Sequence, residues 1–218
     1  MLSNGYQLLV RRHVMCIAAI LTLPFISACG GGSMASSTLD KDIAASFEVF
    51  ANRKIFTRLD PSTLSSIADA EVELAIIDYV SYKLDGHYHE EVNIVGALPT
   101  GIRATYLTWI VEAEVHNGGF NQYYFNTDGK FASEAVEAFE YFGAPEHAAL
   151  MREANTVRAS EEIEMAEFKK QGSSQAFSES YEHTKLGVLD DRFYKLTENL
   201  SQLCVARIRQ MPEQFFGE

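Results

Sequence analysis

From residue 38 onward, apolar residues recur at intervals of three and four, the period of amphipathic helices. Thr38 is placed to cap a helix with Ile43, Phe47 and Ala51 on one face. Asp60-Pro61 is a helix start with proline in the first turn. Leu64, Ile67, Leu74, Ile77 and Leu84 follow at near-helical spacing until Asp85-Gly86 stops the run. Residues 86–100 read as irregular, with a short extended piece at 92–95. The next helix, 100–115, carries Ile102, Tyr106, Trp109, Ile110 and Ala113 along one stripe. Asn117-Gly118-Gly119 ends it, since glycine tolerates the left-handed conformation of a C-cap. A short aromatic helix, 120–125, and a turn, 126–129, come next. Residues 130–142 turn Phe131, Ala135, Ala138, Phe139 and Phe142 inward; Gly143 closes that helix and Pro145 opens another with Leu150, Ala154 and Val157. A short charged helix is expected at 161–170 and a polar loop at 172–180. Leu189, Phe193, Leu196, Leu200, Leu203 and Ile208 read as one final amphipathic helix ending near Pro212. No strand-like alternation persists and no internal repeat is evident. The expected fold class is therefore all-α, a single compact domain of roughly seven to nine helices over residues 38–218.

The first residues follow another logic. Arg11 and Arg12 flank a mostly apolar run at 14–25, too short to span a bilayer, which takes about 20 residues. It ends in Ile26-Ser27-Ala28-Cys29, which resembles a bacterial lipobox. Residues 1–28 then form a lipoprotein signal peptide, Cys29 is the lipidation site, and 29–37 is a Gly/Ser-rich tether. The expected address is the bacterial cell envelope, by a lipid anchor to the membrane. Gly30 stands where an inner-membrane retention signal has Asp, which points to the outer membrane. Cys16 would leave with the signal and Cys29 would be acylated, so Cys204 has no partner for an intramolecular disulfide.

Charge narrows the function. The net charge is −12, and with the two leading arginines set aside the rest carries −14. That argues against direct nucleic-acid binding, where Lys and Arg must replace counterions. An apolar content of 47% argues against disorder. Residues 112–146 hold seven acids against one base, and residues 39–91 eleven against five, so the negative field gathers in the first two-thirds. Glu134, Glu137 and Glu140 recur every third residue, about 4.5 Å apart along a helix. DNA presents a phosphate about every 3.4 Å on each strand. Glu112, Glu114 and Asp128 form a further group, as do Asp69, Glu71, Glu73 and Asp78. These acids are candidates for a protein-binding face; a solvated face that only confers solubility is the other reading.

At residues 112–154 the sequence becomes recognisable. Glu114-Val115-His116-Asn117-Gly118-Gly119-Phe120-Asn121-Gln122-Tyr123-Tyr124-Phe125-Asn126, then Gly129, then Phe142-Gly143-Ala144, resembles the DNA-mimic protein family of the DMP type, whose C-terminal region is a domain of unknown function. Leu189-Asp190-Asp191-Arg192-Phe193 looks like a later element of the same family, and the resemblance covers about residues 95–210. It implies an all-helical fold and an acidic surface that imitates DNA phosphates toward a basic, DNA-binding-like protein partner. One feature departs from that pattern: such decoys act in the cytoplasm, whereas a lipobox leads to the envelope.

Read from the residues alone, the motif is architectural. Gly118 and Gly119 let two helices meet at a sharp corner, which Phe120, Tyr124 and Phe125 fill. The amides of Gln122 and Asn126 suit exposed helix-end groups. Asn117, Gly129 and Gly143 belong to the same structural set. An alternative is that the corner's polar groups line a small-ligand site in an envelope lipoprotein without mimicry, or one with a purely structural role.

Other chemistry finds less support. His87-Tyr88-His89-Glu90-Glu91 would bring two imidazoles to one side if extended, but spacing supplies no third ligand, so no metal or cofactor is expected. There is no Gly-x-Ser-x-Gly elbow, phosphate loop or dinucleotide fingerprint, and Cys204 lies on an apolar stripe. The expectation is a binding protein rather than an enzyme. Its oligomeric state stays open.

Overall fold

The computed structural model describes residue 48 and residues 51–218. The expected signal peptide, Cys29, the tether and the stripe residues Ile43 and Phe47 lie outside the described residues. Ten α-helices are described: α1 (Pro61–Ser66), α2 (Asp69–Leu84), α3 (Glu91–Gly96), α4 (Thr100–Thr127), α5 (Ala132–Phe142), α6 (Pro145–Ser160), α7 (Glu162–Gln171), α8 (Ser174–His183), α9 (Gly187–Phe193) and α10 (Leu200–Gln210). Two 3-10 turns, Tyr88–Glu90 and Pro212–Phe215, complete the path. The fold is all-α and forms one helical domain. Among the described residues no helix is long and apolar enough to cross a membrane.

The centre is built from α2 and α4. Val72, Ala75, Ile76, Ile77, Tyr79, Val80 and Leu84 bury most of the circumference of α2, and α4 is likewise enclosed from Ile102 to Tyr124. Neither has a clean polar face, as expected of helices packed on several sides. By contrast α5 is amphipathic: Ala135, Val136, Ala138, Phe139 and Phe142 point into the core while Glu134, Glu137 and Glu140 are exposed. It lies between α4 and α6. The C-terminal residues close the bundle. Phe215 is fully buried against Gly101, where an added Cβ would fall 2.7 Å from the ring. Gly217 and Leu59 exchange two backbone hydrogen bonds of 2.8 Å.

Four sequence expectations are corrected. The run 61–84 is two helices, because the chain turns extended at Ile67. The Arg209 guanidinium takes up the carbonyls of Leu64 and Ile67 that this break frees, at 2.6 Å each. Residues 92–95 are helical within α3, not extended. The supposed loop at 172–180 holds most of α8, whose start is capped by Ser173 Oγ accepting from the Ala176 N–H at 3.1 Å. The final stripe is two helices, since Asn199 caps a fresh start by accepting from the Gln202 N–H at 2.9 Å.

Candidate functional site

The corner sits inside α4. Gly118 (φ −166°, ψ 34°) and Gly119 (φ 71°, ψ 178°) leave helical geometry, so two helical halves meet there. Gly119 occupies the left-handed region that disfavours any side chain, and a Cβ would fall 2.2 Å from an Asp190 carboxylate oxygen. At Gly118 the constraint is space: a Cβ would meet the side-chain Oε1 of Gln122 at 2.3 Å.

Breaking a helix strands backbone groups, and later elements satisfy them. Asp190 on α9 accepts from the Phe120 N–H at 2.7 Å, acting as an N-cap brought from far along the chain. The Tyr181 hydroxyl on α8 donates to the Gly118 carbonyl at 2.5 Å, and that of Tyr194 donates to Val115 at 2.7 Å. Burial raises the Asp190 pKa, with the Phe120 N–H pulling the other way. Side chains within the motif bond as well. Glu114, buried, accepts from the amides of Gln122 at 2.8 Å and Asn126 at 2.7 Å. Asn121 donates to Ser180 at 2.8 Å, and the Tyr124 hydroxyl donates to Asn155 at 2.6 Å. Phe120 meets Phe193 edge-on at 5.6 Å. Asn117 is exposed at the bend, while Gly129 and Gly143 take positive φ beyond the ends of α4 and α5. The polar side chains named here thus bond to one another and to the backbone, while the buried Tyr123 hydroxyl of the same motif has no hydrogen-bond partner among the described residues.

The candidate acids separate into different environments. Glu114 belongs to the corner interior and is no surface charge. Glu112 is half-buried; burial, and then the like charge of Glu73, push its pKa up to about 8. Glu73 is itself raised by burial, against the Ser201 hydroxyl that donates to it at 2.7 Å. Burial chiefly, with Glu73 adding, pushes the neighbouring Cys204 thiol up to about 12, so Cys204 is an inert core residue. Asp78 is buried in a pair with Arg53, and Asp69 pairs with Arg209. Asp128 is exposed but ion-paired with Lys169, and Glu140 with Arg152. The six candidates therefore form no continuous outward ridge. Glu134 and Glu137 remain exposed on α5, with no cation at ion-pair distance among the described residues.

Those two carboxylates border a cleft of about 160 Å³ between α3, the start of α4, and α5. Its walls include Val95, Ala104, Leu107, Phe131 and Ala138. Arg103 lines one part, its guanidinium donating to the Gly96 carbonyl at 3.1 Å. A second acidic surface escaped the sequence reading. On α7, Glu162, Glu164 and Glu167 surround Ile163, which is 86% exposed, beside an open concavity of about 540 Å³. The acids are dense at 161–167, but the bases spread through 147–218, Lys169 and Lys170 among them, nearly balance the charge of that region. Glu161 itself turns inward and accepts from Thr184 and the Lys185 N–H.

The described histidines do not converge on a metal geometry. His87 and His89 flank a 3-10 turn rather than an extended strand, with ring centroids 6.1 Å apart. His116 packs on Phe193 and Tyr194, and buried His147 pairs with Glu198 at 2.7 Å. Among the described residues no group of three or more His, Cys, Asp or Glu is placed to hold a metal ion.

A family model described as DMP19-like protein matches residues 96–211. That span takes in all of α4 through α10, and so includes the corner, Asp190 and the acids of α5 and α7, and leaves out Val92 and Val95 of the cleft wall on α3. No curated protein and no solved structure matches the chain.

Proposed function

This chain belongs to the DMP19-like protein family, and from that membership we propose that it is an acidic binding protein, presenting carboxylates to a basic, DNA-binding-like partner where that partner accommodates phosphates. The observation that carries the reading is the state of Glu134 and Glu137: within the matched span, exposed, and unneutralised by the described cations. They sit one helical turn apart on a helix whose other face is anchored in the core, so their spacing is fixed by the backbone. Fixed, hydrated carboxylates steer a cationic partner over roughly the 8 Å Debye length at physiological salt. The proposed activity is binding, without catalysis, cofactor or metal, and without direct contact to nucleic acid.

The proposal places this domain at the bacterial envelope, held by acyl chains on Cys29, with the outer membrane as its destination. A lipid on one residue leaves the helical domain free to meet partners at the surface. Labelled palmitate should enter the full chain, and Cys29→Ala should abolish incorporation; label retained in that variant refutes the anchor.

The binding reading is tested with the purified full chain in detergent, immobilised and presented with soluble extract at low and high salt. Basic proteins should be retained at low salt and released at high salt, and the variant carrying Glu134→Lys, Glu137→Lys and Glu140→Lys should lose them. Retention that ignores salt, or that survives the charge reversal, overturns it.

A further inference from the structure

The cleft beside Glu134 and Glu137 differs from a plain acidic patch. Ala104 and Leu107 from α4 and Ala138 from α5 give it an apolar floor, while the two carboxylates stand at its edge. Its volume of about 160 Å³ lies well below the roughly 300–1,000 Å³ of small-molecule sites. A slot that is narrow, apolar below and anionic above is complementary to one kind of side chain: a long apolar stem with a cation at its end.

We propose that this cleft receives a single arginine side chain of the basic partner, its methylene stem on Ala104, Leu107 and Ala138 and its guanidinium between Glu134 and Glu137. This rests on the acidic-binding reading above and adds the identity of the inserted group. Arginine fits better than lysine because its guanidinium is more weakly hydrated and forks onto carboxylates. The arrangement parallels a narrow minor groove, where negative potential draws an inserted arginine. Mimicry at this site is then of a groove rather than of a row of phosphates. The cleft's own cation, Arg103, is turned toward the Gly96 carbonyl, and its like charge keeps the incoming guanidinium toward the α5 edge.

The test uses the full chain and two labelled peptides: a hexamer of arginine, and a hexamer of 2-amino-3-guanidinopropionic acid, which carries equal charge on a shorter stem. Fluorescence anisotropy at low salt should show several-fold tighter binding of the arginine hexamer. Filling the slot should erase that preference while leaving salt-sensitive binding. Gly96→Leu is one filling variant, since a Cβ there meets nothing within 4 Å, and Thr100→Leu at the exposed start of α4 is a second. Arg103→Gln should tighten the arginine hexamer about threefold, the scale of one exposed charge pair. Equal binding of the two hexamers, or a preference that persists in both filling variants, overturns the slot while the acidic-binding reading stands. Binding of neither hexamer, or binding indifferent to salt, overturns both.

Discussion

Glu112 and Glu114 on α4 and Glu134 and Glu137 on α5 are the same residue type in one short stretch of chain, yet their surroundings are opposite. The α4 helix is packed on several sides, so its acids must be bonded or neutralised. Glu114 accepts two side-chain amides, and Glu112 keeps its proton up to about pH 8. The α5 helix has a solvent face, and its acids remain hydrated there. An acid count along the sequence therefore overstates the anionic surface. What a carboxylate does depends on which face of which helix carries it.

The sharpest test of the inner region is its corner. Gly119→Ala forces a side chain onto a φ of 71° and drives a Cβ to within 2.2 Å of Asp190. Relief requires Asp190 to withdraw, and the Phe120 N–H then loses its cap. The combined strain and lost hydrogen bond should cost about 3–4 kcal/mol, read by chemical denaturation. A loss under 1 kcal/mol would show that the corner is pliable and that Asp190 does not hold it.

Next in size is the direct contrast of the two regions. Glu114→Ala strands the amides of Gln122 and Asn126 and leaves a partly buried void, so it should cost about 2 kcal/mol. Glu134→Ala removes an exposed side chain without an ion pair among the described residues and should stay within about 0.5 kcal/mol. Equal losses from the two would erase the distinction between inner and outer acids.

A smaller effect comes from Glu112 and has a defined pH window. The folded protein holds that proton up to about pH 8, while the unfolded chain releases it near the ordinary value of 4.5. Between those values the folded state binds more protons, so this contribution to stability is complete below 4.5 and lost as pH rises toward 8. Glu73, also raised by burial, acts in the same direction. Glu112→Gln removes the dependence. It should match the wild type near pH 4.5 and exceed it by about 1–2 kcal/mol above pH 8, the full shift being discounted for partial exposure. Parallel stability curves for the two proteins would show that Glu112 ionises freely.

Much of this was legible in the chain. Asp60-Pro61, the stop at Asp85-Gly86, the corner at Gly118-Gly119 and the closure at Gly143 were readable because each depends on local backbone chemistry. The breaks at Ile67 and between α9 and α10 were not, since apolar spacing runs straight through both. At Ile67 the break is completed by Arg209, far along the chain. The role of Asp190 was hidden for the same reason: a carboxylate that caps a helix from another element leaves no spacing signal. Of the candidate acids, residue type and period were visible. Which acids would be drawn inward or paired with Arg152 and Lys169 depended on tertiary neighbours that periodicity does not record.

The smallest predicted effect on stability is the one that isolates function. The double variant Glu134→Gln, Glu137→Gln keeps shape and helix propensity nearly constant while removing two charges from the outer face of α5. Its stability should stay within about 0.5 kcal/mol of the wild type at pH 7, since neither carboxylate has an ion pair among the described residues to lose. Its affinity for a basic partner should fall, and the slope of log affinity against log salt should flatten, because fewer ionic contacts form on binding. Glu140→Gln serves as the internal comparison: its carboxylate already pairs with Arg152, so its removal should change the salt slope less than loss of either unpaired acid. If Glu140→Gln flattens the slope as much as the double variant does, the existing pair does not screen its charge, and the boundary between neutralised and available acids must be redrawn to include it.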